Sequence, residues 1–192
     1  MPKIVDRERY RQELLQKCFD LFAQKGYDSL TMRQVAKELG VSTGTLYHYF
    51  PSKQAIFVQL IEETTDRDII MASDKAKNLD TLEAKMAALS QFIVDNEEYF
   101  YKQTLLFFNF FQQPELGQPE LKAAIQKSYQ RYQQAFMEFL GIEDIVVADH
   151  VFCFIDGLMS HRAYGLDSAN IPQQMELLGK MVAIYLAKES NL

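Results

Sequence analysis

Residues 31–53, TMRQVAKELGVSTGTLYHYFPSK, decide the fold of this chain. Thr31 followed by Gln34 has the spacing of a capping box, in which each side chain satisfies a backbone N–H at the start of a helix. Val35, Ala36 and Leu39 follow at helical spacing. Gly40 supplies the left-handed residue that stops a helix without steric cost, and Val41 keeps an apolar contact across the turn. Ser42 can cap the next helix, whose Leu46 and Phe50 point inward at i, i+4. Pro51 ends it, and Ser52 can cap a third helix beginning at Lys53. The stretch therefore predicts a helix-turn-helix with every junction chemically specified.

The outer face of the second helix points to DNA. Thr43, Gly44, Thr45, Tyr47, His48 and Tyr49 are small or carry hydrogen-bonding groups, and none is acidic. A helix that closely approaches a polyanion needs that combination, because hydroxyls bond phosphates or base edges and a threonine methyl can touch a thymine methyl. The plainer reading of such a face is solvated surface, but six non-acidic positions in succession after a capped turn favour docking.

The pattern Phe22-Ala23-x-x-Gly26-Tyr27-x-x-Leu30-Thr31-x-x-x-Val35-Ala36-x-x-Leu39-Gly40-Val41-Ser42-x-Gly44-Thr45-Leu46-Tyr47-x-Tyr49-Phe50-x-Ser52-Lys53 resembles the tetracycline-repressor (TetR) family of bacterial transcription regulators. The match is dense over roughly the first 65 residues and faint beyond them. The resemblance implies an all-α, nine-helix fold. It places a helix-turn-helix DNA-binding domain at 1–53 and a ligand-binding and dimerisation domain at 54–192. It implies DNA contacts from Thr31, Arg33, Ser42, Thr43, Gly44, Thr45, Tyr47, His48, Tyr49 and Lys53. Lys53, opening a long helix, is a natural phosphate site because the helix dipole and backbone N–H groups favour an anion. Arg7, Arg9 and Arg11 form either a basic arm toward the phosphate backbone or ordinary surface charge.

The chain has 192 residues and a formal charge of −6, which taken whole argues against nucleic acid. Residues 1–54 hold nine Lys/Arg against six acids; the totals of 20 and 26 leave 11 basic and 20 acidic residues for the remainder. A basic end carried by an acidic body would be presented to DNA first. Cys18 and Cys153 lie far apart in apolar helical runs, which predicts reduced, packed thiols. His48, His150 and His161 share no metal spacing with them, so neither metal nor cofactor is expected. No secretory pattern or bilayer-length apolar run is evident, and a cytoplasmic protein, nucleoid-associated when bound, is expected.

Periodicity predicts further helices over about 7–25, 53–77, 80–95, the aromatic run 99–111, 120–140, 143–164 and 172–188. Asp80 and Glu83 suggest a second capping box. The aromatic run, apolar all round, is expected to be central in the body. Tyr101, Gln103, Phe107, Phe108, Asn109 and Phe111, facing Tyr129, Tyr132, Phe136 and His161, would either line a largely apolar ligand pocket or form a close-packed core. The last two helices carry more apolar width than one packed face requires. The resemblance implies a four-helix dimer interface there, with Phe154, Ile155, Gly157, Leu158, Leu178, Met181, Val182 and Tyr185 as its candidate residues. The combined expectation is a homodimeric repressor, released from a palindromic operator by a small, mostly apolar ligand. An activator of the same fold, or a binding module with an idle DNA unit, would share much of this sequence. An enzyme is disfavoured, since no nucleophile is tied to the histidines or to Asp149 and Asp156 by a recognisable motif.

Overall fold

A computed structural model describes residues 7–111, 119–166 and 170–189, with the side chains of Phe111 and Glu189 outside that description. The described residues form nine α-helices: α1 Arg7–Lys25, α2 Met32–Glu38, α3 Thr43–Tyr49, α4 Lys53–Ala76, α5 Leu82–Asp95, α6 Glu97–Phe111, α7 Pro119–Leu140, α8 Ile145–Ala163 and α9 Ile171–Glu189. No strand occurs among them. No helix among the described residues is long and apolar enough to cross a membrane.

The helices sort into two compact units, 1–64 with 102–125 and 65–101 with 126–192. The first has a core of Leu14, Leu15, Cys18, Phe22, Val35, Leu46, Phe50, Ile56, Phe57 and Phe110, each buried. Here the structure departs from the expectation of an aromatic run central to the body. The second half of α6 belongs to the first unit, where Phe110 stacks on Phe57 with ring centroids 3.6 Å apart and meets Tyr27 edge-on at 4.9 Å. Helical periodicity assigns an angular position to each apolar residue but not the partner it faces, and this run offered apolar residues on every side.

The second unit is built on Met86, Leu89, Phe92 and Ile93 of α5, Val147, Ala148, Val151, Leu158 and Met159 of α8, and Met175, Leu178 and Val182 of α9. At Gly179 a Cβ would stand only 3.3 Å from Met86 Cβ, so the missing side chain lets α9 lie close to α5. The expected cap at Asp80 is displaced by one residue. Thr81 caps α5, its hydroxyl accepting from Ala84 N at 3.1 Å. Pro172 sits in the first turn of α9, where its missing N–H costs nothing, and Asn170 Oδ1 accepts from Gln173 N at 3.0 Å.

Candidate nucleic-acid interface

The turn between α2 and α3 is fixed atom by atom. Thr31 Oγ1 accepts from Gln34 N while Gln34 Oε1 accepts from Thr31 N at 2.9 Å, closing the capping box. Gly40, at φ +71°, donates to Lys37 O, and Val41 donates to Ala36 O at 3.0 Å. These two bonds complete a Schellman stop, which uses the left-handed residue to satisfy the last carbonyls of α2. Ser42 Oγ then accepts from Thr45 N at 2.9 Å and pairs with Thr45 Oγ1 at 2.8 Å. Leu46 and Phe50 are fully buried, so α3 can rotate no further and its opposite face stays outward.

That face carries the sequence-derived candidates. Arg33, Ser42, Gly44, Tyr47 and His48 are exposed, with Tyr47 49% accessible; Thr43, Thr45 and Tyr49 are half-buried. A Cβ on Gly44 would meet only Ser42 Oγ, at 3.7 Å, so the backbone is open to close approach. Tyr49 packs edge-on against Tyr10 of α1 at 5.5 Å. Lys53 is placed differently from the expected phosphate ligand. Its Nζ donates to Tyr27 O at 2.8 Å and lies 4.0 Å above the Tyr27 ring, so the side chain ties α4 to the loop after α1.

The three arginines of α1 also part company. Arg9 pairs with Glu13, and Arg11 pairs with Glu8 and donates to Gln59. Arg7 reaches α3 instead, where Nη2 donates to His48 Nε2 at 2.5 Å. The choice of a histidine forty-one residues away has no local sequence signal.

The expected ligand residues divide between the units. Gln103, Phe107, Phe108 and Asn109 lie in the first, where Phe107 packs on Phe57 at 5.9 Å. Tyr101, Tyr129, Tyr132, Phe136 and His161 lie in the second. There Tyr129, Tyr132 and Phe136 converge on Phe152, with ring centroids 5.4–5.9 Å away. The Tyr132 hydroxyl donates to the buried Asp68 at 2.7 Å, and Thr65 Oγ1 meets Ser128 Oγ at 2.5 Å. Burial, and after it the Asp68 carboxylate, pushes the Tyr132 phenol well above the usual tyrosine range. The sequence reads Asp66, Arg67 and Asp68 as a solvated face of α4, but Asp68 is buried; Thr65 and Ser128 carry no signal there, because an isolated polar residue on a helix reads as solvated surface. His161 is exposed on α8, and the Phe111 side chain lies outside the described residues.

The residues expected at a dimer face divide between core and surface. Leu158, Leu178 and Val182 are buried in the second unit's own core. The outward apolar stripe of α9 is Leu177, Met181, Ile184 and Tyr185, all 45–60% accessible. Gly157 on α8 has no neighbouring atom within 4 Å of an added Cβ. Cys153, expected to be packed, is exposed; Cys18 is buried, and desolvation pushes its thiol up to about 12.

Residues 14–60 match the model of bacterial regulatory proteins of the tetR family. A relative along nearly the whole chain is the HTH-type transcriptional repressor Rv1474c of Mycobacterium tuberculosis, 26% identical over 95% of this chain and 98% of its own length. The fold is similar to a putative transcriptional regulator from Saccharomonospora viridis in complex with choline, with a TM-score of 0.74 at 16% identity over 92% of this chain and 97% of that one. It is also similar to FadR from Bacillus subtilis in complex with stearoyl-CoA, with a TM-score of 0.67 at 18% identity over 88% and 96%. The capped turn, the non-acidic face of α3 and these relatives agree: residues 14–60 are similar to the DNA-binding part of bacterial regulatory proteins of the tetR family, and the chain along nearly its whole length is similar to a helix-turn-helix transcriptional repressor.

Proposed function

We propose that this regulator is a homodimeric repressor that leaves a palindromic operator when a small, mostly apolar effector binds its C-terminal part. The observation that carries the DNA-reading half is the face of α3. It is polar, open at Gly44 and free of acids, and it is held outward by a turn with no slack. Two such helices related by a two-fold axis read a palindrome, with half-sites set by their separation. Residues 1–53 supply the reading head, with Thr31, Arg33, Thr43, Gly44, Thr45, Tyr47, His48 and Tyr49 at or beside the DNA. The protein acts in the cytoplasm, on the nucleoid.

The dimer reading is supported by the apolar stripe on α9 and the open Gly157 on α8, since contiguous exposed apolar patches mark interaction surfaces. Repression is supported by the relative Rv1474c, named as a repressor. Effector control is supported by the two similar structures, one with choline and one with stearoyl-CoA bound. Within the second unit, Tyr129, Tyr132 and Phe136 around Phe152 give an effector aromatic surface, and Asp68, Thr65 and Ser128 give it polar partners. The effector works only through its differential affinity for the DNA-competent and incompetent forms.

Selection from a random duplex library, followed by titration against salt and sedimentation of the complex, tests the proposal. The expected result is a palindromic motif, a steep salt dependence and two chains per site. A directly repeated motif, or a monomer on DNA, would sink the dimeric reading.

A further inference from the structure

Arg7 is the one arginine of the first turns of α1 that holds a ring in place of a glutamate. A guanidinium has only donors and stays charged, so the lone pair in the Arg7–His48 contact belongs to His48 Nε2. A neutral imidazole has one acceptor and one N–H. With Nε2 accepting, the proton sits on Nδ1. His48 is therefore set as a donor at its other nitrogen.

The ring is also held in place. Tyr49 meets it edge-on at 5.1 Å and 85°, and Tyr49 is itself braced by Tyr10 of α1 at 5.5 Å. His48 is exposed on the face of α3 that carries Tyr47 and Gly44. Arg7 spends one N–H on the ring and keeps the rest of its fork. Paired with a neutral partner, its charge is not cancelled by a carboxylate, which suits a polyanion. The outward polar groups of this pair are thus donors alone. Such an edge rejects the amino groups of cytosine and adenine in the major groove. Guanine, with N7 and O6 side by side, is the base that offers two adjacent acceptors.

We propose that Arg7 and His48 act as one donor-only reader that selects guanine at a single position of each half-site, the His48 Nδ1–H and a remaining N–H of Arg7 each donating to one of its two adjacent acceptors. This rests on the DNA-reading proposal above and adds to it which base is read and by which pair.

Random-duplex selection with the parent, Arg7→Met, Arg7→Lys and His48→Ala tests it, scoring base frequencies position by position. Both residues are exposed, so the melting temperatures should match and a lost preference is not a lost fold. The parent should enrich guanine at one half-site position. Arg7→Met and His48→Ala should both lose that preference, by roughly 5- to 150-fold, the range of one bidentate base contact, and leave the other positions intact. Arg7→Lys should keep part of it, because an ammonium can still donate to Nε2. The pair is overturned if Arg7→Met weakens binding evenly at all positions, which is phosphate contact alone. It is equally overturned if the two variants alter different positions, or if the shared position is not guanine. A parent that enriches no motif overturns the DNA-reading proposal itself, so the two failures are distinguishable.

Discussion

Two helices of this protein turn an exposed face outward, and the two faces are opposites. The face of α3 shows Tyr47, His48, Gly44 and hydroxyls, while that of α9 shows Leu177, Met181, Ile184 and Tyr185. A polyanion stays hydrated and rewards donors and small residues. An apolar stripe gains only by leaving water, at about 25 cal/mol per Å². The same fold thus presents one surface suited to nucleic acid and another suited to protein, and substitution should separate them cleanly.

The largest effect is expected from a charge on the apolar face. Met181→Asp would place an aspartate on each side of a two-fold contact, and sedimentation equilibrium should show a dimer turned monomer. Operator affinity should fall with it by more than about 100-fold, as buried unpaired charges cost several kcal/mol. If the variant remains a dimer, the stripe is not the interface. Next comes Phe110→Ala, which removes the ring stacked on Phe57 and should cost about 3–5 kcal/mol in denaturant unfolding. An effect under about 1 kcal/mol would mean that α6 does not support the first unit's core.

On the reading face, Tyr47→Ala should cost about 1–3 kcal/mol of operator binding and change sequence preference, with the dimer intact. The smallest effects divide Arg33 from Lys53. Arg33→Ala should weaken binding evenly and lower the salt slope by about one unit. Lys53→Ala should instead lower stability by about 1 kcal/mol with little change in slope, because its ammonium is engaged by the Tyr27 carbonyl and ring. A slope that falls at Lys53 would return that residue to the phosphates. Thiol labelling should sharpen the contrast between buried and exposed positions. Near neutral pH Cys153 should react promptly, while Cys18 should react only after denaturation, because its thiol, pushed up to about 12, stays protonated.

What the sequence made legible was local chemistry. Thr31, Gln34, Gly40 and Ser42 specify caps through bonds that span three to five residues, and each lies where the spacing places it. The departures come where distance in the chain is large or a helix is apolar on several sides. Leu158, Leu178 and Val182 could face a partner or their own core, and only packing against α5 decides. Phe110 had two possible hosts, and the side chains of Tyr27 and Phe57 settle the matter. Thr81 and Asp80 are both capable caps, and one residue of backbone register separates them. Arg7 chose His48 over the nearby glutamates, a preference invisible until α1 and α3 lie together.

The stacking of Phe110 on Phe57 has a consequence for how the molecule comes to exist. The helix-turn-helix has all its local signals by Lys53, yet its core is not closed until the end of α6 has been made. During synthesis the reading head should therefore wait, partly formed and with Phe57 uncovered, until Phe110 has emerged from the ribosome. A nascent chain stalled just past α4 would be more open to protease than one stalled well past α6. For the same reason a head cut out at the end of α4 would be a poor DNA binder, and grafting it onto another body would require carrying the end of α6 along.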